Sequence, residues 1–261
     1  MVEVTLDQLY GWINTFLWPF LRLLAMVGAA PVFGESAIPM RAKAGLAALL
    51  CAAVAPAAGP MPDVAPASFE GLAIAGRQVL IGLAMGLTMR VAFAVAQTAG
   101  EFVGLQMGLS FASFFDPATG ANTAVLSRLI NIVATLVFLA LDGHLLLLAA
   151  LVRSFDLLPV AAAPLQAQGW GALAEWGERV IASGLLLALP IIAALLTVNL
   201  AMGILNRSAP QLSVFAVGFP VSLLVGAVLL TVVLPQTAPF LEQLFRAALE
   251  TADRVLRELG G

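Results

Sequence analysis

The chain has 261 residues, of which 61% are hydrophobic and 10% charged, with a formal net charge of -3. Ordinary soluble domains carry about 25% charged residues, so lipid or other subunits must cover much of this surface. The small net charge and the absence of a basic run exclude nucleic acid as a partner, and the single cysteine excludes disulfides and thiolate metal sites. That cysteine, Cys51, lies in the apolar run Leu46 to Val54 and reads as an inert buried thiol. Glu3 and Asp7 precede the first basic residue, Arg22. A cleavable signal needs a basic start, so this segment is expected to belong to the mature chain.

Six apolar stretches follow, read against the roughly 20 residues that span hydrocarbon. The first runs from Leu9 to Phe33. The second, Ala44 to Ala58, is short and suits a half-span or a slanted packing segment. Pro56, Gly59, Pro60, Pro62 and Pro66 then make an extended linker. The third stretch, Leu72 to Ala112, contains no proline, and none occurs between Pro66 and Pro117. A continuous helix from Leu72 to Ser110 would be nearly 60 Å long, about twice a hydrocarbon core of roughly 30 Å. Either it breaks near its glycines or it rises out of the membrane inside an assembly; the second, with a kink, is the expectation. Placed at about 100° per residue, Gly82, Gly86, Arg90, Gln97, Gly100, Glu101, Gly104 and Gly108 fall in one narrow arc, with Phe93 as its one bulky intruder. Small residues at four-residue spacing let helix backbones approach closely, either within the chain or against another subunit or a pore. Arg90 and Glu101 lie too far apart to pair directly, so each needs another partner.

The next segment reads Gly104-Leu-Gln-Met-Gly-Leu-Ser-Phe-Ala-Ser-Phe-Phe-Asp-Pro-Ala-Thr-Gly-Ala-Asn-Thr123. It mixes turn formers with the bulky apolar Met107, Phe111, Phe114 and Phe115. Non-helical backbone of that composition is tolerated at membrane depth only when buried in protein or lining a cavity. It is either a loop folded over helix ends or a hydrophobic closure that excludes water and deforms around a passing chain. The fourth stretch runs from Leu126 to Val152. Pro159, Pro164, Gly169 and Gly171 make a second linker before the fifth, Val180 to Leu205, and the sixth, Leu212 to Leu234. From Pro239 to Leu259 the pattern becomes amphipathic, with Leu241, Leu244, Phe245, Ala248, Leu249, Ala252, Val255, Leu256 and Leu259 on one side. Glu242/Arg246, Glu250/Arg254 and Asp253/Arg257 stand opposite as four-apart pairs. This helix is expected on a membrane surface or a partner protein, not as a seventh span.

No catalytic constellation is present. His144 is alone beside Asp142 at a helix end, and no Ser/His/Asp set, HExxH, P-loop or paired-carboxylate site appears. No cofactor or metal is expected. Arg22, Asn131 and Asn199 lie inside apolar stretches and are default functional candidates, the two Asn being better explained by hydrogen bonding within a bundle. Loop charge does not orient the chain: Arg77, Arg153, Arg179, Arg246, Arg254 and Arg257 on one side face Arg41, Lys43, Arg128 and Arg207 on the other. That balance suits a protein positioned by partners.

Four segments carry a resemblance to a known family. They are Pro31-Val-Phe-Gly34 with Ile38-Pro-Met-Arg-Ala-Lys43; Gly104-Leu-Gln-Met-Gly-Leu-Ser-Phe through Asp116-Pro117; Asn199-Leu-Ala-Met-Gly-Ile-Leu-Asn-Arg207; and Ala209-Pro-Gln-Leu-Ser-Val-Phe-Ala-Val-Gly-Phe-Pro220. From about Trp12 to Leu234 the chain resembles the FliR family of flagellar biosynthetic proteins, called SctT in virulence-type type III secretion. The resemblance implies an all-α, multi-helix integral membrane protein of the bacterial inner membrane, within the flagellar basal body. It implies a FliP-like part over 1–168 joined to a FliQ-like helical hairpin over 169–236, followed by the amphipathic helix over 237–261. Its implied partners are FliP-like and FliQ-like subunits in a hetero-oligomeric core, FlhA-like and FlhB-like gate proteins, an ATPase complex, proton-motive force and unfolded flagellar export substrates. The family's plug loop falls on 106–122, which puts Met107, Phe111, Phe114, Phe115, Asp116 and Pro117 at the closed pore. Asn206, Arg207, Pro210 and Gln211 fall at the hairpin turn, and Arg41 and Lys43 on a basic loop.

The expected function is a gate subunit that passes polypeptide without chemistry of its own. The alternative from another class is a secondary transporter, which Arg22, Arg90, Glu101, Pro190 and Pro220 within apolar stretches favour. It requires inverted internal symmetry and a polar midplane site, and neither is visible. A membrane-embedded lipid-modifying enzyme would need clustered Asp, Glu or His at one depth, and a purely structural anchor would need no plug at all.

Overall fold

The computed structural model describes residues 6–109, 125–208 and 217–261, and among these every regular element is helical. The elements are α1 (Leu6–Ala29), α2 (Met40–Val54), a 3-10 turn (Ala55–Ala57), α3 (Phe69–Gln106), α4 (Val125–Ala140), α5 (Gly143–Leu157), α6 (Ala167–Ser208), α7 (Phe219–Val233), a second 3-10 turn (Leu234–Thr237) and α8 (Ala238–Gly260). The stretches Gly11–Ala29, Met40–Ala57, Phe69–Gln106, Ala167–Ser208 and Phe219–Gly260 are long and apolar enough to cross a membrane, and the bent pair α4–α5 makes a sixth if taken as one span. The chain is a multi-pass helical membrane protein.

Local chemistry sets the helix ends. Ser68 Oγ accepts a hydrogen bond from the Gly71 amide at 3.0 Å and so caps α3, which then runs 38 residues, about 57 Å, without a break. Pro220 sits in the first turn of α7, where its missing N–H is harmless, rather than mid-helix. Two expectations need correction. The fourth apolar stretch is not one continuous helix: it breaks after Ala140, between α4 and α5. Asp142, at φ 54, makes the break, and Asp followed by Gly143 is a pairing that tolerates the left-handed conformation. The second linker is also shorter than expected, because Gly169 and Gly171 are already helical in α6. Leu259 packs directly onto Gly169, so this glycine serves close packing and not a turn.

The chain forms two compact units. The first comprises Met1–Val91, Asp142–Gly177 and Phe245–Gly261, the second Ala92–Leu141 and Glu178–Leu244. In the first, α1 packs on α2, and the core holds Trp18, Val54, Ala58, Ile74, Phe155 and Val160. Gly82 and Gly86 of α3 lie against the α1 backbone: a methyl group on Gly82 would meet Arg22 O, and one on Gly86 would lie 2.6 Å from Ala29 Cβ. In the second, Phe93 and Phe138 meet edge to face at 5.6 Å, and Gly184 of α6 packs on Thr98 and Val95 of α3.

The C-terminal helix departs from expectation in its partner. Phe245, Ala248, Ala252, Val255, Leu256 and Leu259 are buried within the chain itself, so this apolar face is covered by protein and not by lipid. Two of the four-apart pairs are replaced: Arg254 bonds Glu258 at 2.7 Å and Glu175 at 3.3 Å, and Asp253 pairs with Arg153 at 3.0 Å. A tertiary neighbour on α5 takes Asp253, while Arg254 shares itself between Glu258, four residues on along α8, and Glu175 of α6.

Candidate functional site

Arg22 is the buried polar centre of the first unit. It sits on α1 with no exposed surface, although an arginine in an apolar helix is costly unless every N–H finds an oxygen. Nε donates to Gln78 Oε1 at 2.8 Å, Nη1 to Ser154 O and Oγ at 2.8 and 2.9 Å, and Nη2 to Leu158 O at 2.7 Å. The guanidinium also lies 4.1 Å from the centre of the Phe155 ring. All four acceptors are neutral, and two of them are carbonyls at the C-terminal end of α5, where the helix dipole favours a cation. On α3, Arg77 Nη1 donates to Pro159 O and Ala161 O at 3.1 and 3.0 Å. Two arginines thus fasten 154–161 to α1 and α3. Gln78 and Ser154 were not visible as partners in the sequence, since neither the 56-residue nor the 132-residue separation leaves a local pattern.

The two Asn also bond within the bundle. Gln97 Nε2 donates to Asn131 Oδ1 at 3.1 Å, linking α3 to α4, while Ser127 Oγ donates to Gln97 O at 2.9 Å. Ser222 Oγ donates to Asn199 Oδ1 at 2.8 Å, linking α7 to α6.

The exit of α3 has a defined geometry. Gly108 adopts φ 81, its amide bonds Leu105 O at 3.0 Å, and the Leu109 amide bonds Gly104 O at 3.0 Å. This crossed pair closes the helix in a Schellman motif, which needs a residue free of Cβ at the left-handed position. Met107, just before it, is 4% exposed and lies across Gly226 of α7. On the far side of 110–124, α4 starts at Val125 and the Ser127 backbone abuts Gly100 of α3. A Gly in mid-helix costs about 1 kcal/mol against Ala, so Gly226 needed a packing reason that the sequence alone did not supply.

The glycine arc therefore divides. Gly82, Gly86, Gly100 and Gly104 are buried, whereas Arg90, Gln97 and Glu101 are exposed, with no salt bridge from Arg90 or Glu101 to any described residue. Arg41 and Lys43 are not on a loop: they lie in the first turns of α2, where Lys43 Nζ donates to Gly34 O at 2.9 Å. In the same motif Val32 has φ 68 and is bridged by the Phe33 amide bonding Pro31 O at 2.8 Å, a tight turn unusual for a β-branched residue. Asn206 and Arg207 occupy the last turn of α6. Phe111, Phe114, Phe115, Asp116, Pro117, Pro210 and Gln211 lie outside the described residues. Among the described residues no group of three or more His, Cys, Asp or Glu is placed to hold a metal ion.

Long apolar helices tied to one another by side-chain hydrogen bonds define a multi-pass helical membrane protein. Over residues 13–248 the sequence matches the family described as bacterial export proteins, family 1. It belongs to that family, the FliR-type flagellar biosynthetic proteins, and is a component of the flagellar export apparatus. It is 46% identical over 259 residues to flagellar biosynthetic protein FliR of Escherichia coli strain K12, covering 99% of each chain. It is 47% identical over 252 residues to FliR of Pectobacterium carotovorum subsp. carotovorum, covering 97% of this chain and 96% of that protein. Identity to FliR of Bacillus subtilis strain 168 is 30% over 248 residues, covering 94% and 95%. The secondary-transporter alternative finds no support.

Proposed function

We propose that this chain is a core subunit of the export gate, seated in the bacterial inner membrane within the flagellar basal body, and that 106–122 plugs the pore for unfolded substrates when the gate is closed. The observation that carries the reading is the framing of that segment: the α3 stretch from Gly100 to Gly108 meets both of its stems, through the left-handed turn at Gly108 and the Gly100–Ser127 contact. A segment tethered at both ends to one helix, and rich in Phe111, Phe114 and Phe115, can exclude water yet yield to a chain in transit. The chain itself supplies no chemistry, so the energy for export comes from an ATPase complex and proton-motive force.

In this reading 1–168 is the FliP-like part, 169–236 the FliQ-like hairpin with its turn at Asn206 to Gln211, and 237–261 a helix that fastens onto the first. FliP-like and FliQ-like subunits cover the exposed charges of α3, Arg90 and Glu101, together with Gln97; FlhA-like and FlhB-like proteins complete the gate. Deleting Leu109 to Asp116 is the test. With the core assembled, the deletion should raise membrane permeability to small solutes; unchanged permeability with assembly intact would refute the plug role.

A further inference from the structure

We propose that the Met107–Gly226 contact is a releasable latch that couples α7 to the exit of α3 and keeps the gate shut at rest. The inference rests on the plug reading above and adds to it a named point of control. A methyl group placed on Gly226 would lie 2.6 Å from Met107 Cε and 2.7 Å from both Cγ and Sδ. Three atoms of one side chain thus lie against a single Cα, so the methionine is seated in a notch that any larger residue would fill. Gly226 is flanked one turn away by Ser222 and Leu230, also buried, so the notch lies on the packed face of α7. Ser222 is in turn tied to Asn199 of α6 at 2.8 Å. A displacement of the α6–α7 pair therefore carries Gly226 with it.

Met107 is suited to receive that movement. It is the last residue before the left-handed Gly108, so its position fixes the point from which the chain departs toward residue 110. Methionine has three rotatable bonds and a polarizable sulfur, and it can leave a shallow notch without unwinding the helix that bears it. A β-branched side chain there would be stiff at χ1 and would hold or break, not release. The Gly100–Ser127 contact at the other stem is backbone against backbone and has no such freedom. The two stems thus differ: one is fixed, the other held by a side chain that can swing.

The test measures uptake of a membrane-impermeant dye by cells carrying the whole export apparatus, with co-purification of the core as the readout of assembly. Gly226→Ala, which expels the methionine, and Met107→Ala, which removes it, should each raise uptake on the order of fivefold or more, the lower range for coupling between linked elements. Met107→Ala combined with Gly226→Leu refills the notch from the other side and should bring uptake back toward the parent level. If both single alanine variants assemble and stay tight while the Leu109 to Asp116 deletion leaks, the latch is overturned and the plug stands. If the deletion also stays tight, the plug reading falls and takes the latch with it. Loss of assembly in both alanine variants would make the contact ordinary packing and would likewise overturn the latch.

Discussion

Arg22 Nη1 donates to both the backbone carbonyl and the hydroxyl of Ser154, at 2.8 and 2.9 Å, so one nitrogen of α1 grips the end of a helix 132 residues further along. Replacing Arg22 by Leu would strand Gln78 Oε1 and Leu158 O in a buried apolar setting, whereas the Ser154 hydroxyl keeps its bond to Leu151 O at 2.6 Å. Each buried group left without its partner costs roughly 1–3 kcal/mol, so a loss of about 2 kcal/mol or more is expected. Arg22→Lys should recover little of it, because a single ammonium on a flexible stem cannot reach three acceptors arranged around a planar fork. Thermal unfolding of the purified protein in detergent, followed by tryptophan fluorescence, measures both. A lysine variant as stable as the parent would show that charge at the α5 terminus matters and the fork does not.

Glycines on the same helix should respond in opposite ways. A methyl group at Gly100 would overlap the Ser127 backbone, and one at Gly82 would meet Arg22 O, whereas at Gly76 nothing lies within 4 Å. Gly82→Ala and Gly100→Ala should force helices apart and lower the yield of folded protein by a cost of about 1–3 kcal/mol. Gly76→Ala should be neutral or stabilise by up to about 1 kcal/mol through helix propensity. Protease resistance in membranes of cells expressing each variant separates them, and equal sensitivity of all three would contradict the packing described.

That contrast marks what the sequence could and could not convey. The apolar stretches and the unbroken run of α3 were legible because each has a local signature in composition or in the absence of proline. The exposure of Arg90, Gln97 and Glu101 beside buried Gly100 and Gly104 was not, since an arc on a projection does not reveal which side meets a neighbour. The break at Asp142 was overlooked although Asp142-Gly143 announces it, because hydropathy continued unbroken across the pair. The partners of Arg22 and the seat of Met107 depend on residues more than 50 positions away, and no single-sequence pattern encodes such distances.

The C-terminal helix should be held by apolar packing and hardly at all by charge. Arg153 and Asp253 pair at 3.0 Å, but the Arg153 side chain is 58% exposed, and exposed pairs contribute about 0–1 kcal/mol. Arg153→Ala should therefore change stability by less than about 1 kcal/mol. Leu256→Ala, at a site with no exposure, should cost about 2–5 kcal/mol. Hydrogen exchange of the α8 amides distinguishes the two, with raised salt expected to leave the parent protected. Exchange that accelerates sharply in high salt would show that ion pairs, not leucines, hold the helix.

The hydrogen bond from Ser222 to Asn199 at 2.8 Å makes a finer test of how α6 and α7 stay together. Side-chain hydrogen bonds between helices in membranes contribute about 0.6 kcal/mol on average and up to about 1.7, because lipid gives the separated helices no better partner but the unfolded state finds some. Ser222→Ala alone leaves the Asn199 amide oxygen without its donor, and Asn199→Ala alone leaves the hydroxyl without its acceptor. The double variant leaves neither, so its cost should fall short of the sum of the single costs by about that amount. Unfolding free energies of the four proteins in one detergent complete the cycle. Strict additivity would mean that the two side chains do not couple, and that apolar packing such as the seat of Met107 on Gly226 alone keeps α7 in register.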